Sequence, residues 1–171
     1  MWDAFVRIAH WTLVLSIAAA WFTRGGIHEA IGYAALGVIV LRAAWGFAGS
    51  RYARFSQFVR GPRATLDYAK AVAAGRAPRY LGHNPLGAWM VVALLVTVAL
   101  TAASGWLSVT DRYWGVAWMQ ETHAALADLM LVLVGLHVLG VLHASQRHRE
   151  SLVAAMVTGR KPAARAGDVL E

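Results

Sequence analysis

The sequence predicts an all-α integral membrane protein, a four-helix bundle whose two termini both lie on the cytoplasmic side. Hydrophobic residues make up 58% of the chain and charged residues only 15%, whereas soluble domains are usually about 45–50% apolar. Four apolar runs are each long enough to cross a hydrocarbon layer of about 30 Å as a helix. The cations concentrate between these runs. A length of 171 residues suits a single domain.

The first two spans are expected at about residues 5–22 and 27–47, joined by a tight turn at 23–27. The first run lacks a convincing cleavage site and carries His10 at membrane depth, so we interpret it as a retained helix and not as a signal peptide. Tryptophans concentrate at membrane boundaries, which makes three of them interfacial candidates: Trp2, Trp11 and Trp21.

A polar connection at 49–85 separates the second span from the third. Apolar residues recur there at roughly helical spacing among the cations, namely Tyr52, Phe55, Phe58 and Val59. That pattern indicates a short interfacial helix, and a solvated basic loop fits the composition equally well. Pro62 is well placed to start another helix that ends near Gly75.

The third span is expected at about 86–109, after an N-cap at Asn84 and a first-turn proline at Pro85. The fourth is expected at about 119–143, followed by a tail at 144–171. Within the tail, residues 151–158 fit a short amphipathic helix that Gly159 closes.

Orientation follows from the distribution of cations. The 49–85 connection carries seven Lys and Arg residues and the tail carries five, whereas the other two connections carry only Arg24 and Arg112. The positive-inside rule therefore places the long connection and both termini in the cytoplasm. The same distribution argues against nucleic-acid binding as the reason for the net charge of +7, because membrane topology explains the cations.

The chain has no cysteine. Disulfides, thiolate zinc sites, iron–sulfur clusters and covalently attached haem are therefore excluded. Any metal must be held by histidine or carboxylate groups.

The fourth span carries His123 and His137 in an almost wholly apolar stretch. Their separation of fourteen residues places them about 21 Å apart and within roughly 40° of one helix face. Ionisable groups at membrane depth are rare and usually functional. We interpret each imidazole as a ligand to a haem iron.

The predicted orientation gives each of these histidines a partner at the same depth. His10 lies towards the cytoplasmic side, level with His137, and His28 lies at the outer side, level with His123. Each pair comes from two helices, as axial ligation of one haem requires. The pattern predicts two non-covalent b haems stacked across the membrane in the bundle core. A His-lined proton path and a haem-free transition-metal transporter remain open, although transporters more often show inverted repeats and broken helices.

Other residues near the predicted ligands carry weaker signals. Arg7 and Arg42 are candidate partners for the propionates of the inner haem, and each fits equally well as a cation that reaches lipid headgroups. Three glycines near the histidines permit close approach of a porphyrin and are also ordinary helix-packing residues: Gly32, Gly135 and Gly140. The sequence assigns no role to His83, His143 or Asp128.

Six stretches resemble the bacterial di-haem b-type cytochromes of the cytochrome b-561 group, which includes the cytochrome b subunits of nickel–iron hydrogenases. They are VRIAHW at 6–11, IHEAIGY at the start of span two, LRAAWGFAGSRYARF at 41–55, RYLGHNPLGAWM at 79–90, and ETHAALA with GLHVLGVLHAS in span four. The resemblance covers nearly the whole chain. The paired histidines at a spacing of fourteen are its most specific part.

The resemblance implies a respiratory cytochrome of the bacterial inner membrane with two haems, held by His10, His28, His123 and His137. It implies electron transfer between a periplasmic redox partner, either a c-type cytochrome or a metalloenzyme, and the membrane quinone pool. A quinone site near the inner haem is implied without assignable residues. One departure is the very short connection between the first two spans, which leaves less outer surface for a partner.

Two versions of this function differ at the outer face. The first is an electron-transfer subunit, and the alternative is a stand-alone superoxide:ubiquinone oxidoreductase. Such an enzyme would use outer cations to attract the superoxide anion. Because the outer connections offer only Arg24 and Arg112, we favour the subunit.

Overall fold

The computed structural model describes residues 3–169, so the predicted interfacial position of Trp2 lies outside the described residues. Within this range the chain is helical and forms no β-strand. The α-helices are α1 (Ala4–Phe22), α2 (Gly25–Ala48), α3 (Phe55–Phe58), α4 (Pro62–Ala73), α5 (Pro85–Ser108), α6 (Ala117–His148) and α7 (Leu152–Thr158), with a single 3-10 turn at Arg51–Ala53.

Four of these helices are long and apolar enough to cross a membrane, namely α1, α2, α5 and α6. They confirm the four predicted spans, and α1 and α5 begin and end within one residue of the expected bounds. The fourth helix includes the expected span, continues five residues past its expected end at 143 and stops at Arg149, which adopts a left-handed backbone with φ 50°. Its last turns are polar, and a helix can continue into the headgroup region because its backbone bonds are internal.

The helices pack in chain order around the bundle. The close contacts join α1 to α2, α2 to α5, and α5 to α6, whereas α6 makes only sparse contact with α1 and α2. A small apolar cluster lies at mid-height, where Ile39, Val98 and Met130 are buried.

The long connection and the C-terminal segment meet at one end of the bundle, which we call the loop end (residues 49–84 and 149–169). The start of α1 lies there too, because the Arg7 guanidinium donates to the carbonyl of Val157 and the Trp11 indole donates to that of Met156, at 3.4 Å for the indole. The start of α1, the C-terminal segment as far as residue 169 and the basic connection therefore share one end, as the predicted topology requires. For 52–59 the predicted alternatives were a short interfacial helix and a solvated basic loop, and the chain forms a 3-10 turn followed by the four-residue helix α3.

Local capping explains where the loop-end helices start. The Asn84 side chain accepts from the Gly87 amide at 2.8 Å, with Pro85 in the first turn of α5. Ser151 accepts from the Ala154 amide at 3.1 Å, and Gly159 ends α7 in a left-handed conformation with φ 77°. These caps satisfy backbone donors that a helix end leaves free, and they confirm the predicted boundaries.

The junction between α2 and α3 is tightly packed at Gly46. A Cβ atom at this buried position would overlap the ring of Phe55. That ring is held in place because it lies 5.4 Å from the Phe47 ring and 5.7 Å from the Phe58 ring, centre to centre. The Arg42 guanidinium also lies 5.3 Å from its centre.

We expect Gly46→Ala to destabilise the folded state by about 1–3 kcal/mol, the usual cost of forcing an extra methyl group into a packed site. Thermal unfolding of the detergent-solubilised protein measures the effect. Gly37→Ala on the same helix is the matched control, since nothing lies within 4 Å of the position its Cβ would occupy. Equal unfolding temperatures for the two variants would contradict the expectation.

Candidate functional site

The four histidines of interest form two pairs at two levels of the bundle. The rings of His10 on α1 and His137 on α6 lie 6.3 Å apart, centre to centre. The rings of His28 on α2 and His123 on α6 lie 6.1 Å apart. All four side chains are half-buried. The structure thus brings together the residues that the depth argument paired, and each pair crosses the space between α6 and the first two helices.

The two ring spacings suit a metal ion bound between the imidazoles. Bonds from a metal to two imidazole nitrogens are about 2 Å each, and each nitrogen lies roughly 1 Å from its ring centre, which gives about 6 Å between centres. Edge-to-face contacts between rings cover a similar range of about 4.5–7 Å between centres, so the spacing is compatible with a metal between the imidazoles and does not by itself require one. Among residues 3–169 no group of three or more His, Cys, Asp or Glu side chains is placed to hold a metal. A two-ligand site fits haem, because the porphyrin itself supplies four nitrogens.

The pair formed by His28 and His123 is oriented by backbone carbonyls. The Nδ1 atom of His28 lies 2.9 Å from the carbonyl oxygen of Ala20, and that of His123 lies 3.0 Å from the carbonyl oxygen of Thr101. A carbonyl can only accept, so Nδ1 carries the proton in both rings and Nε2 keeps its lone pair. Metal-bound histidines commonly show this arrangement.

The pair formed by His10 and His137 is surrounded differently. The Nδ1 atom of His10 is buried and has no hydrogen-bond partner. Open space lies next to Gly32 and Gly140, where nothing is within 4 Å of an added Cβ. These glycines lie one turn from His28 and His137 respectively. The donor set and the ring spacing together fit a haem at each level.

Comparison with known families agrees with this geometry. A family model described as prokaryotic cytochrome b561 matches residues 1–159. The chain belongs to the prokaryotic cytochrome b561 family. Neither the comparison with curated proteins nor the comparison with solved structures gives a match.

Membership in the cytochrome b561 family, together with the four membrane-spanning helices, makes this chain a transmembrane b-type cytochrome that binds haem and takes part in electron transfer. The resemblance seen in the sequence is thereby confirmed. The same match removes the haem-free transporter from the open alternatives. Redox partners and quinone are the general classes of partner for a membrane cytochrome of this family.

The two candidate propionate partners lie at the loop end, in unlike surroundings. Arg42 is buried, with one nitrogen 3.4 Å from the carbonyl oxygen of Ala53 and its NH1 atom without a partner. Arg7 is half-buried and donates to the Val157 carbonyl, while its Nε atom is unpartnered. Arg42 therefore has a buried N–H group that is free to donate to a carboxylate, whereas part of the Arg7 guanidinium already donates to a carbonyl of α7.

The remaining polar residues take no part in the two pairs. His83 packs against Phe58, with ring centres 4.6 Å apart. Burial, reinforced by the positive charges of Arg42 and Lys161, lowers the pKa of His83 to about 3, so this ring is neutral at physiological pH. The side chains of His143 and Asp128 are exposed.

Sequence reasoning missed the part that α5 plays in the site. This helix contains no histidine, yet Thr101, Ser104 and Gly105 surround the ring of His123. Small and hydroxyl-bearing residues one turn apart in an apolar span were the available signal. Their relevance depends on how α5 is rotated against α6, which no pattern in the sequence specifies.

Proposed function

We propose that this cytochrome carries two b haems and transfers electrons across the bacterial inner membrane between a periplasmic redox partner and the quinone pool. The observation that supports this most directly is the pair of ring spacings, 6.3 Å for His10 and His137 and 6.1 Å for His28 and His123. Both match the roughly 6 Å expected of two imidazoles that would bind one iron. Two such pairs at two levels correspond to two haems.

In this proposal the four histidines would hold the haem irons. When bound, haem iron supplies one-electron redox chemistry. The chain contributes two imidazoles at each level, and the carbonyls of Ala20 and Thr101 fix the ring orientation of His28 and His123. Two imidazoles per site leave no coordination position open, so we do not expect oxygen binding. Arg42, with its free buried donor, is our candidate for holding a propionate of the nearer haem.

The two proposed haem levels are separated by the apolar cluster of Ile39, Val98 and Met130. Met130 is seven residues from both His123 and His137, and the levels are about 21 Å apart along α6. Residues of this kind exclude water from the middle of the bundle. The chain thus keeps the redox centres in a dry medium, where small differences in hydrogen bonding change their potentials appreciably.

The direction across the membrane rests on the cations. Seven Lys and Arg residues in the 49–85 connection and five in the tail share the loop end, which we therefore place in the cytoplasm. His10 and His137 are then nearer the cytoplasmic face, and His28 and His123 nearer the periplasm. The periplasmic partner would approach the short connections that follow α1 and α5.

The surroundings of the outer cations favour the electron-transfer subunit over a superoxide oxidoreductase. The Arg24 guanidinium donates to the carbonyls of Trp21 and Thr23, at 3.4 and 2.8 Å. The Arg112 guanidinium lies over the ring of Tyr113, 5.5 Å from its centre. Because Arg24 and Arg112 are the only Lys or Arg residues of the two outer connections, the outer face offers few positive charges to concentrate a small anion. Co-purification of a haem or metal protein would support the subunit, whereas unaided quinone reduction by superoxide would support the enzyme.

A pyridine haemochrome assay on detergent-purified protein, with protein quantified in parallel, tests the proposal. We expect two non-covalent b haems per chain. One haem per chain would mean that one histidine pair does not bind, and none, after haem is supplied during expression, would overturn the proposal.

A further inference from the structure

Helix α5 builds a socket around the Nδ1 edge of His123. The carbonyl oxygen of Thr101 lies 3.0 Å from Nδ1 and the hydroxyl of Ser104 lies 3.1 Å from it. The Ser104 hydroxyl is also 2.9 Å from the Thr101 carbonyl. Both residues are buried. The Ser104 hydroxyl donates to the Thr101 carbonyl. The Nδ1–H group of His123 can then donate to both oxygens, the Thr101 carbonyl and the Ser104 hydroxyl.

The third wall of the socket is Gly105. A Cβ atom at this position would lie 2.9 Å from Cε1 and 3.2 Å from Nδ1 of His123. Any larger residue would therefore push the ring away from its present place. The His123 ring cannot move away freely, because its Nδ1 atom is hydrogen-bonded to the carbonyl of Thr101, one turn before Gly105 on α5. Gly105 thus keeps open the space in which the imidazole stands.

No comparable socket surrounds His10. Its Nδ1 atom is buried without any partner, whereas both rings of the other pair donate to a carbonyl. An imidazole whose N–H is donated to a strong acceptor carries more negative charge on its other nitrogen and is a more basic ligand. A more basic ligand stabilises the oxidised iron and lowers the reduction potential.

Resting on the proposed function, we infer that Ser104 and Gly105 are positioning residues for the haem held by His28 and His123, and that this haem has the lower of the two reduction potentials. The two sites then differ in reduction potential, and electron transfer is favourable from the level of His28 and His123 to the level of His10 and His137. On the proposed orientation, that is from the periplasmic side towards the cytoplasmic side.

The test compares Ser104→Ala with two matched variants in the full-length protein. Ser108→Ala removes a hydroxyl one turn further along α5, where it bonds only the carbonyls of Ser104 and Gly105. Ser104→Thr keeps the hydroxyl at the original position. Each protein is titrated potentiometrically while its haem absorbance is followed, and its haem content is measured in parallel.

We expect Ser104→Ala to raise the lower midpoint potential and leave the higher one unchanged. Ser108→Ala should leave both unchanged, and Ser104→Thr should restore the wild-type value. Loss of one haem in Ser104→Ala alone would support the same positioning role. Two retained haems with unaltered potentials, or a shift of the higher potential instead, would overturn the inference while leaving the proposed function intact. A wild-type protein without haem would instead overturn the function.

Gly105→Ala tests the steric wall independently. We expect this variant to lose one haem, or to hold it with an altered absorption spectrum, because the added methyl group displaces His123. Wild-type haem content, spectrum and potentials in Gly105→Ala would show that Gly105 has no positioning role.

Discussion

Replacing His137 with alanine should halve the haem content of the protein. The substitution removes one of the two rings whose centres lie 6.3 Å apart at the loop-end level, so the haem at that level loses an axial ligand. His28 and His123 lie at the other level and keep their carbonyl partners. We therefore expect one b haem per chain in place of two, measured as pyridine haemochrome against protein mass.

His143→Ala is the matched control for this experiment. His143 lies on the same helix, six residues after His137, and its side chain is exposed. Its loss should leave both haems in place. Two haems in His137→Ala would show that the pairing of His10 with His137 is wrong. Loss of both haems would show that the two levels do not load independently.

His10→Ala should reproduce the His137→Ala result, since the two rings serve the same proposed iron. The redox titration of either single-haem protein should then show only the lower-potential component, because the remaining site is the one whose two rings donate to carbonyls. A single remaining component at the higher potential would contradict the ordering of the two sites.

The spans and the levels of the histidines could be predicted because bilayer thickness constrains them. A helix that crosses the membrane has a nearly fixed length, so the depth of His10, His28, His123 and His137 follows from their distance to the span ends. The starts of the helices near the loop end were equally predictable. Asn84 and Ser151 are capping residues and Pro62 is a first-turn proline, and these signals depend only on the local sequence.

The rotation of each helix about its axis was not predictable in the same way. Helix α5 carries a stripe of hydroxyl-bearing residues, Thr97, Thr101, Ser104 and Ser108, but this stripe does not indicate which neighbouring helix it meets. The socket of Thr101, Ser104 and Gly105 around His123 appears only when that rotation is known. The ionic cluster at Arg79 was missed for a related reason, because its partners follow it by more than seventy residues.

That ionic cluster fixes the C-terminal segment to the long connection at the loop end. The Arg79 guanidinium bonds Glu150 at 2.8 Å and also pairs with Asp168, and the side chains involved are only 3–6% exposed. Lys161 joins the cluster through Glu150 and through the carbonyls of Tyr80 and Leu81. The hydrogen bond to Glu150 is the main reason that the pKa of Arg79 is raised. Arg79 is therefore the cation on which both acids depend.

We expect Arg79→Ala to release the C-terminal segment. Removing the guanidinium leaves the carboxylate of Glu150 shielded from water and without its main cation. We expect this to reduce the free energy of docking by about 2 kcal/mol, which lies between the values for exposed and for deeply buried ion pairs. A cost of that size raises the population of the undocked segment by roughly thirtyfold. Limited trypsin digestion of the detergent-solubilised protein should therefore cut at Arg165 much faster than in the wild type, with fragments identified by mass spectrometry.

Arg76→Ala is the control for the digestion, since Arg76 is an exposed cation of the same connection. It should be digested at the wild-type rate, and equal rates for both variants would show that Arg79 does not hold the segment.

Acid provides a second test of the same contact. The backbone amide of Arg165, and then Arg79, lower the pKa of Asp168 below its ordinary value of 3.8. A lowered carboxyl pKa contributes stability above pH 3.8 that is lost as the pH falls through the folded value. Docking should therefore be insensitive to pH between about 6 and 8 and should weaken only in strong acid. Because the haem ligands lie inside the bundle and the cluster lies at its loop end, Arg79→Ala should keep both proposed haems while it frees the segment, which separates the anchoring of the tail from the assembly of the redox centres.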